Sequence, residues 1–257
     1  MPSAAAHGLR LLIALTAMGA AGTAGAEDPA CTARSRYDLT VTATALIFER
    51  AAAPGQRLEM QTGRLAANGT FVELGPGDRN RITTFETNAR ALVPQLKALA
   101  QRGVDLGVAA IREEAAATSP KSATNPQLNA RLDARARTLK ARIAASNSSK
   151  DWRGPAVKRY LAEAMTDVIP LVGGDLAQQA LDAALRGDLA GAAAIKGKAE
   201  KMRPSLEARI QRKLETLQPE VDRLCPALRN LDTLESGMAA TLPDGNRLNL
   251  VEIGGKL

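Results

Sequence analysis

Histidine is almost missing: one residue, His7, in 257. Without imidazole a chain has no Ser-His-Asp or Cys-His pair, no H-E-x-x-H zinc site and no imidazole general base. G-x-S-x-G and S-x-x-K are absent as well. Aromatic residues are only 2% of the chain, so the stacking platforms common in sugar-binding clefts are missing and any core must be Leu, Ile, Val and Ala. Cysteine occurs twice, at Cys31 and Cys225, with no C-x-x-C redox motif. No EF-hand loop is present, and Glu113 and Glu114 are neighbours that point to different sides of a helix. The reading is therefore no catalytic residue, no metal site and no cofactor.

The N-terminus is the most informative stretch. Arg10 precedes an apolar run, Leu11 to Ala21, too short to span a bilayer comfortably. Gly22-Thr23-Ala24-Gly25-Ala26 follows, then Glu27-Asp28-Pro29. Ala24 and Ala26 fit the small pockets of signal peptidase, so residues 1–26 read as a cleavable signal peptide cut after Ala26. An uncleaved anchor is the rival reading. A lipoprotein is disfavoured, because Cys31 follows Asp28-Pro29-Ala30 and not a small-residue box. Cleavage removes His7 and Arg10. The mature chain then carries 33 basic and 27 acidic residues and no histidine.

Export implies an oxidising compartment, where two cysteines usually pair. A Cys31–Cys225 bridge would close nearly the whole mature chain, worth on the order of 5 kcal/mol in the chain-entropy model.

Thr and apolar residues alternate over Leu39–Ala45, and Leu46-Ile47-Phe48 closes that run. Arg57 to Gly63 and Phe71 to Leu74 are further strands, with Asn68-Gly69 as a hairpin turn. The spacing predicts an antiparallel meander over 36–74. Helices follow over 78–240. In the first, Ile82, Phe85, Ala89, Leu92, Leu96 and Leu99 form a heptad stripe, weakened at Pro94 and Gly103. A second helix spans about 127–145, and the polar Asn147-Ser148-Ser149-Lys150 interrupts the pattern. Asp151 and Asp175 open further helices; Pro219 and Pro226 divide the last region. Arg247 to Ile253 alternates like a closing strand. The fold class is α+β, mainly helical, with a small antiparallel sheet from N-terminal strands and a candidate C-terminal strand. The expectation is a single domain over 27–257.

Two glycine motifs fail as phosphate sites. Gly191–Lys198 has five residues between its glycines and Ala199 where Ser or Thr must reach magnesium. In Gly75-Pro76-Gly77-Asp78-Arg79-Asn80, Asn80 replaces the third glycine of a dinucleotide turn.

Charge is the remaining signal. Residues 131–159 hold nine bases against Asp133 and Asp151. Arg131, Arg135, Lys140, Arg142, Lys158 and Arg159 are the candidate anionic-surface residues. Lys196 to Lys213 adds seven bases against Glu200 and Glu207. Outside the cytoplasm the anionic partners are lipid head groups, lipopolysaccharide or acidic proteins, not nucleic acid. A solvated helix face is the bland alternative. Trp152 is read as capping the core at a helix start, with an interfacial anchor as the other reading.

Tyr37-Asp38-Leu39, Gly63-Arg64-Leu65, Asn68-Gly69, Val72-Glu73-Leu74, Arg90–Pro94, Gly103–Leu106, Leu224-Cys225-Pro226 and Leu242–Gly245 occur in this order after the early Cys31. This pattern resembles the YggN-like periplasmic proteins of proteobacteria, a domain of unknown function. The resemblance implies periplasmic location and two paired cysteines, and it carries over no active site. The expectation is an exported, non-catalytic envelope binding or interaction protein, not an integral membrane protein. The alternatives are a hydrolase with paired carboxylates and a chaperone-like client-binding protein.

Overall fold

The computed structural model describes residues 32–50, 55–118, 124–152 and 173–254. The chain packs as two compact units interleaved in sequence. The sheet unit comprises residues 1–96, 146–154 and 219–257; the helical unit comprises 97–145 and 155–218.

In the sheet unit, β1 (Thr32–Arg34) is followed by a five-stranded meander. Its strands are β2 (Asp38–Val41), β3 (Leu46–Arg50), β4 (Gln56–Gln61), β5 (Arg64–Ala67) and β6 (Thr70–Phe71), antiparallel in that order. Their period of two puts Leu46, Phe48, Leu58, Met60, Leu65 and Ala67 on the buried face. Register aligns them in rows, Leu46 opposite Met60 and Phe48 opposite Leu58. The first half of α1 (Pro76–Thr118) supplies the matching stripe, Ile82, Phe85, Ala89 and Leu92, all buried. The Phe48 and Phe85 rings meet edge to face at 6.1 Å. Each such side chain contributes about 1.5–3 kcal/mol by leaving water.

The meander differs from the expected pattern at one point. The long alternating run over 39–48 is a hairpin, not one strand. Thr42 turns the chain: its N–H donates to the Ala45 carbonyl at 2.9 Å, and its hydroxyl accepts from the Ala45 N–H. A β-branched residue masks a turn made by its own hydroxyl. The other turns follow their glycines: Thr62-Gly63 and Asn68-Gly69 all have positive φ, as a type I′ turn requires.

α1 runs through both weak points without a break. Pro94 is exposed, and the helix continues through it. The predicted stripe ends sooner than expected, for Leu96 is 42% exposed. It is the last residue of the sheet unit, where the helix passes into a different packing environment. The last region is likewise undivided: α4 (Gln218–Ser236) contains Pro226 at an exposed position, and Pro219 sits in the first turn, where a missing N–H breaks no intrahelical hydrogen bond.

The closing strand is shorter and later than predicted. β7 (Glu252–Gly254) pairs antiparallel with β1 and not with the meander. Residues 247–250 do alternate, with Leu248 and Leu250 buried. However, the Leu250 and Val251 N–H groups donate to the Glu235 carboxylate of α4, not to a strand.

The polar interruption at 146–152 has a structural use. The Asn147 carbonyl accepts from the Val41 N–H at 2.8 Å, and Ser149 Oγ accepts from the Leu39 N–H at 3.0 Å. This segment covers the open edge of β2. It ends in a short 3₁₀ turn, Ser149–Trp152, where Trp152 is half-buried and its indole N–H donates to Ser146 Oγ.

In the helical unit, the second half of α1 packs with α2 (Pro126–Ala145) and α3 (Leu189–Glu215). Ala115, Leu128 and Leu132 form the buried cluster, with Val108, Ile111 and Met202 against it. Glu114 is buried there and accepts from Arg209 Nε at 3.0 Å and Ser205 Oγ at 2.9 Å. Residues 173–185 form a further helix.

Candidate functional site

The predicted basic residues fall into three groups. Arg131, Arg135 and Arg142 lie on the exposed side of α2. Their spacing of four and seven places them on one helical stripe, which runs alongside the buried Leu128, Leu132 and Ile143. Ala134, Thr138, Ala141 and Ala145 lie between and beside them and are exposed too. Lys140 belongs elsewhere: it is half-buried and its Nζ sits 2.9 Å from both carboxylate oxygens of Asp105 on α1. It is a helix-pairing residue, not part of the open face. Lys158 and Arg159 lie outside the described residues, as do Ala24, Ala26 and Cys31.

The α3 bases are similarly divided. Arg209 and Lys213 face α1, where Lys213 Nζ is 2.6 Å from Glu113 and Arg209 bridges Glu113 and Glu114. These contacts hold the Glu113 carboxyl below its ordinary range, first through the hydrogen bond from Lys213. Lys196, Lys198, Lys201 and Arg212 remain exposed. Charge runs alone do not show this split, because pairing depends on which face meets α1.

The larger electrostatic pattern follows from the division into units. The helical unit holds 19 Lys and Arg against 12 Asp and Glu; the sheet unit holds 15 against 15. The whole formal charge of +7 therefore resides in the helical unit.

The buried carboxylates of the sheet unit have structural partners. Asp78, in the first turn of α1, accepts from the Ala239 and Ala240 N–H groups at 3.2 and 3.0 Å. Glu86 accepts from the Gly63 N–H and so holds the β4–β5 turn. Glu235 accepts from Leu250 and Val251 at 2.9 and 3.0 Å. Burial pushes its pKa up to about 7, with Asp232 and Glu252 adding to the rise. Burial also raises Glu86. Sequence patterning reads Asp78 as a helix cap and misses Glu86 and Glu235, since each catches backbone distant in the chain.

A shallow groove of about 320 Å³ lies between α1 and α4, lined by Asn88, Ala91, Leu92, Gln95, Ala227 and Asn230. It offers amides and no carboxylate. Among the described residues, no group of three or more His, Cys, Asp or Glu is placed to hold a metal ion. No described helix is long and apolar enough to cross a membrane. Cys225 is buried on α4, its thiol 3.8 Å from the Val221 carbonyl.

No curated protein matches this chain, and no solved structure matches it. One family model does match, over residues 31–251, described as Protein of unknown function (DUF2884). That span includes the meander, α1 to α4 and the segment fastened by Asp78 and Glu235, so the chain belongs to the DUF2884 family of proteins of unknown function.

Proposed function

We propose that this protein is exported to the periplasm, loses residues 1–26, and works there as a non-catalytic envelope protein that binds anionic surfaces through its helical unit. The observation that carries this reading is the concentration of all the net charge in that unit, with Arg131, Arg135 and Arg142 aligned on one exposed face. Near an anionic bilayer each such residue is worth about 1 kcal/mol, screened within a Debye length of about 8 Å at physiological salt. Three together are worth about 3 kcal/mol, or roughly a hundredfold in affinity. The test is sedimentation with phosphatidylglycerol vesicles. The Arg131→Gln, Arg135→Gln, Arg142→Gln triple variant should bind about a hundredfold more weakly than wild type. Equal binding by the two would discard the arginine face.

The Cys31–Cys225 bridge belongs to the same proposal. Cys31 directly precedes β1, and β1 pairs with β7. β7 continues from the segment held by Glu235 of α4, the helix that carries Cys225. This connectivity supports a bridge within the sheet unit.

A further inference from the structure

Three of the exposed large apolar side chains fall within nine residues of one another: Leu181, Leu185 and Leu189 are 53%, 76% and 73% exposed. They flank the corner where helix 173–185 turns into α3. Gly187, at φ 78°, ends the first helix, and Asp188 caps the second by accepting from the Gly191 N–H at 2.7 Å. The turn is therefore built locally from its own capping residues. Every residue from 184 to 190 is exposed, so the corner projects from the helical unit.

The caps need only Gly187 and Asp188, and among the described residues the unit's buried cluster is formed by other side chains. A projecting apolar point also offers no concave wall to grip a peptide, the usual form of a binding site. A bilayer interface accepts a projecting apolar group readily, because lipid chains close around it. Charge complementarity favours the same occupant: the corner belongs to the +7 unit, and Lys196, exposed, follows Leu189 by seven residues on the same side of α3. Asp182 and Asp188 lie at the corner too, but Asp188 is engaged by the Gly191 N–H, and Arg186 stands between them.

We infer that Leu181, Leu185 and Leu189 are an insertion point that enters an anionic phospholipid bilayer once the basic face has brought the helical unit to it. This rests on the anionic-surface reading and adds to it an apolar, salt-resistant component. Peripheral binding needs both signals, since charge attraction alone is lost in salt.

The experiment uses vesicles of phosphatidylglycerol and phosphatidylcholine in equal parts. The wild type, Leu185→Ser/Leu189→Ser and the triple arginine variant are compared at low and at physiological salt. A fourth variant, Leu185→Trp, is measured with bromine-labelled lipid chains. All substitutions are at exposed positions, and circular dichroism checks that the helices persist. The inference predicts about a tenfold loss of binding per leucine, greatest at physiological salt, and quenching of the Leu185→Trp emission beyond that of Trp152 in the wild type. If wild type binds but the serine variant binds equally and Trp at 185 is unquenched, insertion is overturned while the charge reading stands. If wild type does not bind at low salt, both fall. If the serine changes instead lower the oligomeric state, or abolish binding of an unfolded client protein, the corner meets protein and the lipid assignment is overturned.

Discussion

At the scale of single residues, buried carboxylates do much of the fastening. Asp78, Glu86 and Glu235 each accept backbone N–H groups from a distant segment. Glu235 is the most informative, because its pKa of about 7 lies above the ordinary glutamate value. The folded state then binds more protons than the unfolded chain between the unfolded value, near 4.5, and about 7. The contribution of Glu235 to stability should therefore rise as pH falls through 7 and level off below about 4.5. The burial of Glu86 acts in the same direction. Urea titrations at intervals from neutral to mildly acidic pH measure this. Wild type should gain stability on acidification, and Glu235→Gln should lose most of that gain. A wild type that weakens steadily over this range would contradict the assignment. Residues of this kind are poorly legible in sequence. Asp78 looks like an ordinary helix cap, and nothing local shows that it also catches residues 239 and 240.

At the scale of elements, periodicity was a good guide where one face packs against one partner. The strands from Gln56 to Phe71 and the stripe Ile82–Phe85–Ala89–Leu92 follow directly from period two and period 3.6. It failed where a residue had a second use. Thr42 read as strand because it is β-branched, yet its hydroxyl builds a turn. Pro94 reads as a weak point and Pro226 as a break, yet each lies at an exposed position inside a continuous helix. Lys140, Arg209 and Lys213 read as surface charge, yet each pairs with an acid of α1. The last pairing should be measurable. Glu114→Ala takes from Ser205 its acceptor and from Arg209 the nearer and more buried of its two carboxylates. It should destabilise the protein by about 3 kcal/mol, while Asp105→Ala, at an exposed pair, should change stability by less than about 1 kcal/mol. Equal losses in chemical denaturation would show that burial does not distinguish the two.

At the scale of the whole molecule, the chain returns to the sheet unit twice after leaving it, at 146–154 and at 219–257. Such interleaving has no local sequence signature, since no linker marks it. It does explain why a disulfide would matter. A Cys31–Cys225 bridge would tie the first strand to the last helix of one unit and limit how far either end can open. In full-length protein purified without reductant and unfolded in denaturant, neither cysteine should alkylate until reductant is added, and reduction should lower the melting temperature. Full alkylation without reductant would remove the bridge from the account.

The proposed anionic partner depends on charge held by the helical unit. Binding to phosphatidylglycerol vesicles as salt is raised tests it most directly. Firm binding is expected at low salt, weakening as the Debye length shortens to about 8 Å at about 0.15 M down to the part held by the leucine corner, with negligible binding to purely zwitterionic vesicles at any salt. Absence of binding to anionic vesicles at low salt, or binding to both kinds that ignores salt, would contradict it.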